Sequence, residues 1–138
     1  MGISYVEFED DSGVLQRYRK HVNGKGLVSV KAKVDPTAYV DRSAYVDPGA
    51  IVQRGANIGH GVWVDRDAVV SERAVVGPNV HVGRRAVIGK SVELGAYAEI
   101  GADAKVHHGA RVPRDAVVPD GTDVAPSDSD LRRLGLAA

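Results

Sequence analysis

The chain has 138 residues, with eighteen Lys and Arg balanced by eighteen Asp and Glu, and it has no cysteine. That balance excludes bulk electrostatic attraction to nucleic acid or to an anionic membrane, and the missing thiols exclude disulfides, thiolate metal sites and a cysteine nucleophile. No apolar run reaches membrane-spanning length and no charged start followed by an apolar segment resembles a signal peptide, so the expectation is one soluble domain, cytoplasmic or virion-associated, with no nucleic-acid or membrane partner.

Residues 1–33 form the first predicted unit. Ser4-Tyr5-Val6-Glu7-Phe8-Glu9 and Val14-Leu15-Gln16-Arg17-Tyr18-Arg19 alternate around Asp11-Ser12-Gly13, which reads as a β-hairpin. His21-Val22-Asn23-Gly24-Lys25-Gly26 follows as a turn-rich linker. The basic and aromatic run Arg17, Tyr18, Arg19, Lys20, His21 reads as a solvated hairpin face, since no nucleic-acid motif accompanies it. The hairpin is expected to be a cap on its own subunit or on a neighbour, or an arm that attaches the chain to a larger assembly.

From Val34 to Val124 every sixth residue is a branched aliphatic. A strict short period marks a repeat architecture. The fifth position of each six-residue unit is alanine in eleven of fifteen units, and it lies two residues before the next aliphatic, so both face the same side of a strand. Positions two to four are rich in Gly, Asp, Pro, Asn and Ser, the residues of turns. Each unit is therefore a short strand and a corner. Three units close a triangular coil of eighteen residues, and fifteen units make about five coils stacked at strand spacing of roughly 4.8 Å. The sixth positions point outward and sort into three columns: Tyr39, Asn57, Val75, Glu93, Arg111; then Tyr45, Trp63, His81, Glu99, Val117; then Ile51, Val69, Val87, Lys105, Asp123. Ile51, Val69 and Val87 make the most continuous apolar stripe and are the expected oligomer interface. Corner columns alternate in charge, as in Asp67, Arg85, Asp103 and in Arg54, Glu72, Lys90, His108, which suits register rather than catalysis. Residues 125–138 form a tail in which Ser127-Asp128-Ser129-Asp130 precedes Leu131-Arg132-Arg133-Leu134, a candidate cap and short helix.

Ile58-Gly59-His60-Gly61-Val62-Trp63 and Val76-Gly77-Pro78-Asn79-Val80-His81 carry the pattern aliphatic, Gly or Asp, two variable residues, alanine or valine, then a variable residue. This resembles the hexapeptide repeat of the left-handed parallel β-helix superfamily, over about two thirds of the chain. The resemblance implies an all-β, left-handed helix, a homotrimer as the common assembly, and several possible activities. In the acyltransferases of this superfamily a histidine between subunits acts as general base. Ile58-Gly59-His60-Gly61 resembles such a segment, and His81 is the second candidate. Gamma-class carbonic anhydrases of the same fold bind zinc through three histidines. Here His60, His81, His107 and His108 fall on different corners and faces, so no metal and no cofactor are expected.

The unbroken coils lack the extruded loop and the C-terminal helical domain that usually wall an acyl-donor site. The leading expectation is therefore a non-enzymatic structural or binding protein: a rigid trimeric module, tied by its hairpin or tail to a larger protein assembly, a virion among the candidates. The alternative is a minimal acyltransferase using His60 or His81 at a subunit boundary.

Overall fold

A computed structural model describes residues 5–126. The hairpin is present as β1 (Tyr5–Glu9) and β2 (Leu15–Lys20), paired antiparallel with Phe8 opposite Gln16. Asp10 closes its turn by accepting the N–H groups of Ser12 and Val14 at 2.9 Å each. A short strand β3 (Leu27–Ser29) follows, and then two-residue strands recur every six residues from Lys33–Val34 to Asp123–Val124. They stack into three parallel sheets whose partners lie eighteen residues apart, as in Tyr45↔Trp63, Ile51↔Val69 and Asn57↔Val75. The result is a triangular prism of about five coils, and the three outward columns sort as the period requires. The tail helix expected at residues 127–138 lies outside the described residues.

The inside of the prism holds little but the period itself. Val40, Val46, Val52, Ile58, Val64 and Val70 are all but fully buried, and so are Ala38, Ala44, Ala50, Ala56 and Ala68. Alanine beside each large aliphatic keeps the faces close enough to pack, because three inward valines or isoleucines per coil already fill the axis. Backbone groups pair along the whole coil, not only in the strands. Trp63 N–H donates to the Val80 carbonyl at 3.0 Å on a face, and Arg85 N–H donates to the Arg66 carbonyl at 3.0 Å at a corner. Buried backbone polar groups thereby have partners through the turns as well.

The corners are tight because the fourth residue of each unit turns left-handed. From Gly49 to Gly121 this position has φ between 57° and 80°, in residues as large as Arg73 and Tyr97. The backbone ladder through the corner holds these side chains in a conformation that costs L-residues roughly 1–2 kcal/mol. In the first two units the position is Thr37 or Ser43, and the turn is made by a hydroxyl on a neighbouring aspartate instead.

The coil begins earlier than its sequence period suggests. Leu27 and Val28 pair with Tyr45 and Val46, and Val28 is buried in the same core. Val28 stands six residues before Val34 and Ala32 holds the fifth position, so the repeat extends one unit upstream. β2 then pairs antiparallel with β3, through Tyr18↔Ser29 and Lys20↔Leu27. The hairpin thus continues the sheet that carries Tyr45, Trp63 and His81, and it covers the upper edge of its own chain's sheet. Residues 21–26 form a closed turn in which His21 is buried and its Nε2 lies 2.9 Å from the Ala38 carbonyl.

Candidate functional site

Two histidines stand out by what holds them, and both are on or beside the face continued by the hairpin. His60 is the third residue of its unit, at the corner that leads into Trp63. One coil above it lies Asp41-Arg42-Ser43. The Ser43 hydroxyl donates to Asp41 Oδ2 at 2.7 Å and accepts the Gly61 N–H at 2.9 Å. His60 Nδ1 lies 2.9 Å from the same hydroxyl oxygen and 3.7 Å from Asp41 Oδ2. The Ser43 hydroxyl, the Ser43 N–H and the Tyr39 hydroxyl together hold the Asp41 carboxyl below the ordinary carboxylate range. The rest of the His60 ring faces solvent: its side chain is 71% exposed. This is an imidazole fixed at one nitrogen and free at the other.

His81 is the outward residue of a strand three units later. Its Nε2 lies 3.1 Å from Asp65 Oδ2, and its ring stacks on Trp63 with centroids 4.1 Å apart and planes 13° apart. The acid beside His81 is Asp65 from the coil above. Glu99, which follows His81 in its outward column, is only its strand neighbour below and does not orient the ring. The same diagonal repeats one coil up, where Trp63 Nε1 donates to Asp47 Oδ2 at 2.7 Å. In both pairs the aspartate precedes its partner by sixteen residues, one coil less two. That offset is the sequence signal for these contacts, and a search down eighteen-residue columns passes over it.

The hairpin turns this face into a groove. Tyr18 donates its hydroxyl to Asp47 Oδ1 at 2.8 Å, and Arg66 reaches Asp10 at 3.2 Å while Gln16 bonds the same carboxylate at 3.0 Å. Phe8 packs edge-on against Tyr18. Burial and the Asp47 carboxylate push the Tyr18 hydroxyl well above the ordinary tyrosine range. Between hairpin and prism lies a cavity of about 450 Å³, walled by Phe8 and Tyr18 on one side and by Tyr45, Trp63 and Asp65 on the other. Asp10, Asp47, Asp65 and Arg66 were not among the sequence candidates. They come together only because β2 bends over the outer face.

The remaining histidines do not join them. His107 is 3.9 Å from Asp123, and His108 Nδ1 accepts the Lys90 N–H at 2.7 Å on another corner. Among the described residues no three His, Asp or Glu side chains form a group that could hold a metal ion. Of the corner charge columns, Arg85 and Asp103 form a two-pronged pair at 2.7 and 3.0 Å. Ile51, Val69 and Val87 lie in register on a second sheet, each half-buried within the chain. No described helix is long and apolar enough to cross a membrane.

No protein-family model matches the sequence, and no curated protein matches it. Solved structures do. PerB from Caulobacter crescentus, in complex with CoA and GDP-perosamine, matches at 24% identity over 72% of this chain and 50% of its own, with a TM-score of 0.67. A mutant of GDP-perosamine N-acetyl transferase from the same organism matches at 24% identity over 71% of this chain and 49% of its own, also with a TM-score of 0.67. The fold is therefore the left-handed parallel β-helix that these structures share. The chain spans about half the length of these proteins. The comparison corrects the expectation of a non-enzymatic structural module, because a solved structure that shares this prism is a GDP-perosamine N-acetyl transferase. Unbroken coils also do not preclude a cavity, since the hairpin folds back and walls one against Tyr45 and Trp63, with neither His60 nor His81 in its lining.

Proposed function

We propose that this chain is the β-helical part of an acyltransferase that moves an acyl group from a coenzyme A thioester to an amine or hydroxyl, with His60 as general base. The observation that carries this reading is the Asp41–Ser43–His60 chain, which fixes one ring nitrogen and leaves the other open at an exposed corner. It falls in the segment Ile58-Gly59-His60-Gly61 that resembles the acyltransferase base. The fold shared with a CoA-binding protein supports the donor class.

The chemistry needs few groups. His60 Nε2 takes the proton from the acceptor N–H or O–H as the nitrogen or oxygen attacks the thioester carbonyl. The tetrahedral intermediate collapses with cleavage of the C–S bond. The imidazolium returns its proton to the leaving thiolate, so the base is regenerated. His81 is the second reading, favoured by its 3.1 Å contact with Asp65 beside the groove. Acetyl-CoA alone is the probe. Calorimetry is expected to show saturable binding, and thioester hydrolysis with water as acceptor is expected to fall roughly 10²-fold or more in His60→Ala. No binding at millimolar acetyl-CoA overturns acyl transfer. Full activity in His60→Ala with loss in His81→Ala moves the base to His81.

The proposed assembly is a homotrimer with Ile51, Val69 and Val87 in the seams. Its support is that this column stacks three aliphatic residues in register, whereas the other two outward columns are interrupted by Asn57 and by His81 over the same coils. Light scattering at micromolar concentration is expected to give three times the chain mass, and Val69→Asp to give one. A monomeric parent protein refutes the trimer.

A further inference from the structure

We infer that Asp41 and Ser43 are positioning residues that lock His60 in the tautomer bearing its proton on Nδ1. The inference rests on the reading of His60 as base and says how that base is kept ready.

The argument is a count of protons and lone pairs. A serine hydroxyl has one proton and two acceptor positions, and a carboxylate can only accept. Ser43 Oγ lies 2.7 Å from Asp41 Oδ2, so its single proton is given there. The Gly61 N–H, at 2.9 Å, occupies one lone pair. The remaining lone pair faces His60 Nδ1 at 2.9 Å. Two lone pairs facing each other would repel, so Nδ1 must carry a hydrogen. Nε2 is then unprotonated, and it is the nitrogen that faces solvent. A general base needs that state before the acceptor arrives.

The other histidines are set the opposite way. His81 Nε2 faces the Asp65 carboxylate, and His21 Nε2 faces the Ala38 carbonyl, so each carries its proton on Nε2. His108 accepts the Lys90 N–H on Nδ1, which again leaves the proton on Nε2. Among the described histidines with a hydrogen-bonded ring, only His60 is held as the Nδ1–H form.

The turn itself has a twin that separates its structural role from its effect on His60. Thr37 donates to Asp35 at 2.6 Å and accepts the Gly55 N–H at 3.0 Å, the same arrangement one corner earlier. There the third residue of the unit below is Arg54, so no imidazole is involved. The twin also shows that threonine fits the turn.

Nitrogen-15 NMR, through long-range couplings to the ring protons, reads each tautomer directly at a pH where the ring is neutral. The parent protein is expected to show one Nδ1–H histidine, assigned by its absence in His60→Gln. Ser43→Ala is expected to move that resonance set toward the Nε2–H form and to lower kcat for acetyl-CoA hydrolysis about tenfold, with KM within twofold. Ser43→Thr is expected to restore both. Thr37→Ala, which removes the twin turn, is expected to leave the tautomer and kcat unchanged. An Nε2–H His60 in the parent, or an unchanged tautomer in Ser43→Ala, overturns the lock. A kcat loss in Thr37→Ala equal to that in Ser43→Ala overturns it too, by making the effect structural. An Nδ1–H His60 in a protein that neither binds nor hydrolyses acetyl-CoA refutes acyl transfer and leaves the lock standing.

Discussion

Ile88→Ala tests whether the prism is held by its inward column. Ile88 is fully buried in a middle coil, with Val70 above it and Val106 below. The substitution removes three carbons, worth about 2.4 kcal/mol at roughly 0.8 kcal/mol each. A cavity then remains, and this architecture closes cavities poorly. Coil spacing is set by backbone bonds on both sides, Ser71 N–H to the Ile88 carbonyl at 2.9 Å and Gly89 N–H to the Val106 carbonyl at 2.8 Å. The facing side chains are short and cannot swing in to fill the gap. Adding about 1 kcal/mol for the cavity gives an expected loss of about 3–4 kcal/mol, in the middle of what such substitutions cost. Chemical denaturation at one fixed protein concentration measures it, with an unchanged slope as the sign that the native state is intact. Val75→Ala is the control. Val75 points outward and is 44% exposed, so its loss is expected to stay within about 0.5 kcal/mol. A loss below about 1.5 kcal/mol at Ile88, or an equal loss at Val75, refutes the division into inward and outward columns.

The hairpin and the corners give further expectations. Tyr18→Phe keeps the ring contact with Phe8 but removes the bond to Asp47, and a hydrogen bond to a carboxylate is worth about 1.5–3 kcal/mol. Amide hydrogen exchange in Leu15–Lys20 is expected to accelerate roughly tenfold or more while the coil amides stay protected; unchanged exchange refutes the latch. The Tyr18 hydroxyl is held above its ordinary value of 10.0 by burial and by Asp47, so its contribution is full below pH 10 and is lost as the pH rises beyond it. Alkaline exchange in the same strand is expected to rise steeply there, and to do so less in Tyr18→Phe. Asp103 is held below 3.8 chiefly by its bond to Arg85. Its contribution is present above pH 3.8 and is lost as the pH falls through the folded value. In Arg85→Gln the Asp103 carboxyl is expected to titrate closer to 3.8, as read from its carbon shift; an unmoved titration refutes the pairing.

Period and alternation by themselves settle most of the architecture. An inward residue every sixth position, with alanine two places earlier, can be satisfied by little else than a three-sided coil, because strand geometry sends residues two apart to the same side and turn residues fill the rest. The three outward columns follow from counting alone, and so does the register of Ile51, Val69 and Val87. That His60 lies at a corner follows from its place in a unit that keeps the period. What the sequence could not decide is everything set by contacts that cross the period. The Asp47–Trp63 and Asp65–His81 diagonals depend on how far side chains lean along the strand. The Ser43 hydroxyl reaches His60 only because the coil pitch brings the two corners together. The groove depends on a hairpin that bends back over its own outer face, held there by Tyr18 on Asp47 and Arg66 on Asp10. A repeat fixes positions that are equivalent by translation. The hairpin stands outside that symmetry, so where it packs and what it walls off had to come from the tertiary structure.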